Sequence, residues 1–476
     1  MELKRIYVLE LYFNFRKGKE IMKKSAKKLG TLLAIVIMSF VILNSFTLNT
    51  VSVNAATIAP KTTVSKKTLQ VGGKTYKIKF KNLASSAKVT YESDDEYTAI
   101  VTSGGIIRAV WEGTATVTVR VQQNKSEYTS TIAVTVIAAK LPELGYEDDT
   151  VIEWKDMGIE SYIRGALHKE KGNITVKDVK SIKAIECNDI KVNSLEDLKY
   201  VRSLESICVN NVDGNELSDI SCLRHLMRLR TVVINNSNIS DISVVSKLPS
   251  LTWIGFSKAK ISDISPLKTC IQMRRIELNS NQIVDISALK NLMMLEQLWL
   301  GDNQITNIAS LANHPKLYSV NLYMNQISDI RALKSLTRIS TLEMQYNPVG
   351  DISDLAGLSR LYWLNLADTD ISDISCLSGK TELYWLNLNS NQITNISSLA
   401  DSKKLIYFQA SCNQIKSIRC LKNMTSLVRL ELNTNKITDI GSLSGLKNLT
   451  TLRLEDNKIT DWSPVDFLET VGGRME

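Results

Sequence analysis

The 476 residues are 44% hydrophobic, long enough for two or three domains and too apolar for a disordered chain. The formal charge of +9 is unevenly held: residues 1–56 carry nine Lys/Arg against three Asp/Glu, residues 57–139 eleven against six, and residues 140–476 carry 38 against 40. That near-neutral C-terminal part excludes nucleic acid as its ligand.

Lys23, Lys24, Lys27 and Lys28 precede an apolar run from Leu32 to Phe46, and Val53-Asn54-Ala55 supplies the small residues of a cleavage site. Residues 1–55 therefore read as a leader and signal peptide, with Met22 as the true start and cleavage after Ala55. The chain is expected outside the cell, secreted or surface-associated, touching a membrane only through an uncleaved signal. Its seven cysteines are an odd number for an exported protein. Cys187 and Cys270 fall at core positions and Cys208 and Cys412 in exposed columns. Cys222, Cys376 and Cys420 share a column, but the last two stand two repeats apart, roughly 10 Å at sheet spacing, too far for a bridge. All read as unpaired thiols.

Residues 57–139 are strand-rich. Tyr76, Ile78 and Phe80 alternate with Lys77, Lys79 and Lys81, and the runs 117–121 and 132–136 repeat that pattern. Turn signals stand at Gly72-Gly73 and Gly104-Gly105. Short alternating strands over this length predict a small β-sandwich. The segments Leu69-Gln70-Val71-Gly72-Gly73, Val89-Thr90-Tyr91-Glu92-Ser93-Asp94, Gly105-Ile106-Ile107-Arg108-Ala109 and Glu112-Gly113-Thr114-Ala115-Thr116-Val117 resemble the group 2 bacterial immunoglobulin-like domain. Tyr91 stands where that family often has Trp. The resemblance implies a spacer or adhesive module without catalytic residues.

Residues 145–181 change to a helical pattern in Ile152, Ile159, Ile163 and Leu167, broken at Gly172-Asn173-Ile174-Thr175, and read as a cap over the end of a core. From residue 182 to 468 a period of 22 takes over. Its anchor runs Ile220, Ile242, Ile264, Ile286, Ile308, Ile330, Ile352, Ile374, Ile396, Ile418, Ile440 and closes at Trp462, with no insertion or deletion. A fixed period of this length means stacked supersecondary units. Leu298-Trp299-Leu300 reads as a short strand with an inward pair, and Asn303 then turns the chain. Its counterparts Asn215, Asn281, Asn325, Asn347, Asn391, Asn413, Asn435 and Asn457 form a ladder that satisfies buried turn backbone. Ser237, Ala259 and Thr369 interrupt it, which predicts looser turns there. Nine of the twelve residues before the anchor are Asp. Stacked at about 4.8 Å they would repel unless each accepts backbone N–H bonds as a turn cap; a calcium column is the lesser reading. Leu195 precedes Ile220 by 25 residues, so three extra residues lie near Asn211–Gly214. Residues 469–476 form a tail with no obvious cap or wall-sorting motif, although Trp462, Val465, Phe467 and Leu468 suit folding over the last repeat or dimerising there.

Leu386-Asn387-Leu388-Asn389-Ser390-Asn391-Gln392-Ile393-Thr394-Asn395-Ile396-Ser397 resembles the 22-residue leucine-rich repeats of the internalin family of Gram-positive surface proteins. Ile163-Arg164-Gly165-Ala166-Leu167 followed by Gly172-Asn173-Ile174-Thr175 is similar to that family's N-terminal cap. The implied architecture is β-rich and multidomain: an immunoglobulin-like sandwich, a helical cap and a right-handed leucine-rich-repeat solenoid of parallel strands with short 3-10 or irregular convex segments. Internalins usually place an immunoglobulin-like module after the repeats, whereas here it precedes them.

Exposed strand and turn positions hold small polar residues except at a run of rings. Trp363, Trp385 and Tyr407 share one column, with rings expected to stack roughly 5 Å apart. Trp299, Tyr323 and Tyr346 step diagonally across the preceding repeats, and Trp253 lies nearer the N-terminus. Arg429 and Glu431 flank one side, Arg275 and Glu277 the other, with Glu343 inside. An aromatic centre with a mixed-charge rim is the layout of a protein-binding site. The rings alternatively stack on sugars, with Asn365, Asn387, Asn389 and Gln409 bonding hydroxyls, or only on one another. His168, His225 and His314 are scattered and share no nucleophile, and no phosphate loop or metal-ligand spacing occurs, so neither enzyme activity, cofactor nor metal is expected.

Overall fold

The computed structural model describes residues 59–140, 145–210 and 216–473. The leader and signal, the extra residues near Asn211–Gly214, and Asn215 lie outside these. Among the described residues before 140 there are nine strands: β1 (Lys61–Thr62), β2 (Lys66–Gln70), β3 (Tyr76–Lys77), β4 (Phe80–Lys81), β5 (Lys88–Ser93), β6 (Ala99–Val101), β7 (Ile106–Ala109), β8 (Gly113–Gln123) and β9 (Ser126–Ile137). They form sheets of order β2-β9-β8-β5 and β3-β7-β6 and a β1-β4 pair. Alternation sets the packing: Val117, Val119, Val121, Ile132, Val134 and Val136 point inward with Leu69, Ile78 and Ile107 from other strands, making one buried cluster.

Helix α1 (Met157–Leu167) follows. Asp156 caps it, accepting from the Ile159 N–H at 3.0 Å, while its second oxygen accepts from Asn193 at 2.7 Å and Ser194 at 3.1 Å. One buried carboxylate thus fixes the helix start to the first repeat. Ile159 and Ile163 pack inward, and His168 ends the helix in a left-handed conformation. Ile152, placed on the helical face by spacing, is instead extended, bonded to the Ile174 carbonyl and buried beside the helix.

Thirteen parallel strands, counted among the described residues, then stack in strict chain order. They are β10 (Ala184–Asn188), β11 (Ser206–Asn210), β12 (Thr231–Asn235), β13 (Trp253–Gly255), β14 (Arg275–Glu277), β15 (Gln297–Trp299) and β16 (Ser319–Asn321). The series continues with β17 (Thr341–Glu343), β18 (Trp363–Asn365), β19 (Trp385–Asn387), β20 (Tyr407–Gln409), β21 (Arg429–Glu431) and β22 (Thr451–Arg453). A 3-10 turn opens after each anchor residue on the opposite side, and the leucine and isoleucine columns between strand and turn form a single continuous core.

Three polar columns hold the coils together. Asn303 donates to the carbonyls of Leu278, Leu300 and Gly301 at 3.0, 3.0 and 3.2 Å and accepts from the Ile283 N–H at 3.0 Å. Thr369, where the ladder is interrupted, is fully buried, and its hydroxyl donates to Leu366 at 2.6 Å. The Asp column caps the turns as spacing predicts: Asp219, Asp241, Asp263 and Asp285 each accept the N–H two residues on at 2.7 Å. In the third column Ser310, Ser398 and Ser442 donate to the carbonyl of the previous coil's anchor at 3.0, 2.9 and 3.0 Å. Cys222 and Cys420 do the same in this column at 3.1 and 3.2 Å, so these thiols are sulfur versions of a serine contact. All seven thiols are free.

The C-terminal segment closes the stack, with Trp462, Val465, Phe467 and Leu468 folding over the last repeat, one of the two arrangements that the sequence suits. Val465 is fully buried, Trp462, Phe467, Leu468 and Val471 pack against the core, and Gly472 bridges Arg453 of β22. The N-terminal sheet domain is docked along the segments that lead into β12–β16. Trp111 lies under the guanidinium groups of Arg228 and Arg230 at 5.4 and 4.7 Å, and Arg274 stacks on Tyr97 at 3.9 Å. Glu112 pairs with Arg228 at 2.8 Å and Glu96 with Lys316. Ile100 and Val110 bury Met294 between these charges.

Candidate functional site

The parallel register carries the sequence columns directly into space. Trp363, Trp385 and Tyr407 are Cα partners on adjacent strands, and none of the three belongs to the core. All are half-buried by their neighbours on the exposed sheet face. The Trp363 and Trp385 rings stack at 4.1 Å and 4°. Tyr407 departs from the expected three-ring stack. Its ring turns to meet Tyr384 edge-on at 5.8 Å.

Tyr384 belongs to a second aromatic column that the sequence reading missed. It occupies the position just before each strand, where Tyr362 and Tyr384 stack at 4.8 Å and 10°. Tyr318 holds the same position two coils earlier, and Tyr362 and Tyr318 are 45% and 37% exposed, which marks them as surface rather than filler. The signal was present as the doublets Tyr362-Trp363 and Tyr384-Trp385 at one repeat's spacing. Arg338 and Arg360, both exposed, border this column. The aromatic field therefore wraps from the sheet face over its edge.

The remaining predicted residues divide. Tyr323 is half-buried with its ring over Gly301, where an added Cβ would sit 2.1 Å from two ring carbons. Tyr346 is 54% exposed at a left-handed turn position with φ 62°. Trp253 and Trp299 form a separate group, because the Arg275 guanidinium lies over both rings, at 4.4 and 4.6 Å. The Trp253 indole N–H donates to Glu277 at 2.9 Å, and Arg275 pairs with Glu277. Their faces are already occupied. Glu343 sits between the two groups, accepting from Asn321 at 2.9 Å. Burial raises its carboxyl above the usual range, and the nearby Gln345 and Trp363 side chains pull it part of the way back.

Arg429 and Glu431 are bonded to each other, Nε to carboxylate, at 2.7 Å. Glu431 is only 7% exposed and also accepts from Gln409 at 2.7 Å, so Arg429 is the accessible charge of the pair. The amides beside the rings are likewise engaged. Asn387 and Asn389 accept the N–H groups of Asn389 and Ser411 at 3.0 and 2.7 Å. The three histidines lie in three separate elements, and His314 is buried with its ring nitrogens 2.8 and 3.0 Å from the Leu311 and Leu289 carbonyls. Among the described residues no three His, Cys, Asp or Glu side chains converge as metal ligands.

The family described as Leucine Rich repeats (2 copies) matches residues 294–335 and 425–467. No curated protein matches the sequence. Among solved structures, the internalin InlF of Listeria monocytogenes superposes with a TM-score of 0.63 at 33% identity, covering 67% of this chain and 94% of InlF. The functional domain of InlJ from the same organism, which includes a cysteine ladder, reaches 0.57 at 18% identity over 69% of this chain and 76% of its own. The plant peptide hormone receptor RGFR1, in complex with RGF2, reaches 0.52 at 18% identity over 60% of this chain and 50% of its own.

Proposed function

The chain belongs to the internalin family of leucine-rich-repeat proteins, and from that membership we propose that it is an exported bacterial adhesion protein that binds another protein. The partner, on the surface of a host or neighbouring cell, docks against Trp363, Trp385 and Tyr407 and continues over Tyr362 and Tyr384. One observation carries this reading: two parallel ring columns, stacked at 4.1 and 4.8 Å, lie outside the core on adjacent coils. Soluble proteins rarely leave such a patch uncovered without a use, and aromatic anchors dominate interface energetics. Trp253, Trp299, Tyr323, Tyr346, Arg429 and Glu431 form its outer part. Trp253 and Trp299 contribute through the Arg275 they hold rather than through free ring faces. The N-terminal sheet domain serves as an immunoglobulin-like spacer. The scattered histidines support a binding role over catalysis.

Glycan recognition through the same rings is the second reading. The ring columns favour it, but the Asn387 and Asn389 amide oxygens already accept backbone N–H groups and the Gln409 amide already donates to Glu431.

A pull-down with residues 140–476 identifies the partner, and Trp363→Ala with Trp385→Ala then tests the site. Each truncation in a hot spot costs about 2 kcal/mol or more, so either one alone weakens partner binding about 30-fold and the pair weakens it further, with the thermal transition nearly unchanged. Loss of folding instead assigns the rings to sheet stability alone. Saturable binding to one sugar class on a glycan array, lost in the same variant, transfers the site to the second reading.

A further inference from the structure

Partner binding by the solenoid leaves the charge of the N-terminal sheet domain without a role. Residues 57–91 hold eight lysines and neither Asp nor Glu. Lys77, Lys79 and Lys81 alternate with Tyr76, Ile78 and Phe80, which pack against the domain's core, so all three lysines are exposed, Lys77 on β3, Lys81 on β4 and Lys79 between them. Lys61 is the direct antiparallel partner of Lys81, which brings like charges face to face across the β1–β4 pair. Such opposition is destabilising, and a bound anion would relieve it. The domain's acids do not. Glu92 pairs with Arg120 at 2.8 Å, while Glu96 and Glu112 hold Lys316 and Arg228 of the solenoid. Among the described residues no ion pair joins any of the eight lysines, whereas Lys155, Lys169 and Lys404 beyond the domain each meet a carboxylate within 2.9 Å. The domain is therefore polarised. Two of its acids serve docking, and its lysines meet no carboxylate: Lys77 donates to the Gly104 carbonyl and Lys67 lies over the Tyr76 ring at 4.8 Å.

We propose that this lysine face binds a linear polyanion carrying repeated phosphate or sulfate groups. Counterion release on neutralising a row of ammonium groups drives such binding without base or sugar readout, and makes it steeply salt-dependent. The face is separate from the aromatic field, so the two activities fail independently.

The test uses the full chain, with heparin as the sulfated probe and long-chain inorganic polyphosphate as the phosphate probe. Vesicles of phosphatidylglycerol and phosphatidylcholine form a third arm. Affinity is read between about 50 and about 200 mM salt. The quadruple variant K61Q/K77Q/K79Q/K81Q is expected to lose binding at least about tenfold, with a log-affinity against log-salt slope shallower by about 3, roughly 0.7–0.9 per contact. The doublet K77Q/K79Q, which leaves the β1–β4 pair intact, gives about half that change in slope. A control of equal charge loss on the exposed turns, K290Q/K403Q/K416Q/K422Q, is expected to bind as the parent does. Binding to one polymer and not the other identifies the anionic group. Equal loss in both quadruple variants, no binding to either polymer, or binding to vesicles alone overturns the proposal.

Discussion

Asn303 shows how much one side chain contributes in a repeat. Four hydrogen bonds converge on its buried amide, three donated to turn carbonyls and one accepted from the Ile283 N–H. Asn303→Ala leaves the Ile283 N–H buried without a partner, at about 1–3 kcal/mol, while the Leu278, Leu300 and Gly301 carbonyls keep Asn281, Asn325 and the Ser280 N–H as donors. We expect a net loss of about 1–3 kcal/mol in denaturant unfolding. A loss below about 0.5 kcal/mol would mean that water replaces the amide. The ladder was legible in the sequence because it recurs at one position of the period. Tyr407 was not legible, because register fixes where a Cα stands but leaves the ring to choose its neighbour. It chose the edge of Tyr384, outside its own column.

At the scale of the element, the convex turns depend on ionised carboxylates. Bonds from Arg331 hold Asp329 down to about 2, first through its guanidinium and then through its N–H. Asp285 and Asp461 are lowered by Ser287 and Ser463 in the same way. A depressed carboxyl binds fewer protons in the folded state, so its stabilisation is complete above the ordinary Asp range and is lost as pH falls through the folded value. Thermal melts are therefore expected to fall as pH drops from about 4 toward about 2, and Asp329→Asn to flatten part of that slope. A pH-independent melting temperature across that window would exclude the caps as the cause. These groups are exposed, and salt weakens their contribution. The turns, like the strands, could be read from the period. The end caps were only half legible: Asp156 and α1 carry a helical signal, whereas the tail closes the stack through Gly472 and a few aperiodic apolar contacts.

For the whole molecule, the docking of the N-terminal domain had no sequence signal. Arg230, Arg274 and Lys316 occupy columns that elsewhere hold ordinary surface residues, and their partners Trp111, Tyr97 and Glu96 lie more than a hundred residues away. Periodicity describes contacts between coils; it says nothing of a surface that meets a different module. The edge column changes character where the domain ends, from Arg274 and Glu296 to Tyr362 and Tyr384, so the domain borders the aromatic field without covering those two rings. Trp111→Ala combined with Arg230→Glu removes the central cation–π contact and sets a repulsion against Arg228's partner Glu112. The expected result is a larger radius of gyration by small-angle scattering, with the solenoid's melting transition retained. An unchanged radius would mean that Met294 and its apolar neighbours suffice.

The seam across five successive coils also has a mechanical consequence. Tension applied to the N-terminal domain enters the spring-like array through its flank, shared among several turns in shear, instead of peeling the first turn from the end. A bond loaded in this way resists flow far better than its equilibrium strength suggests, because its contacts must break together.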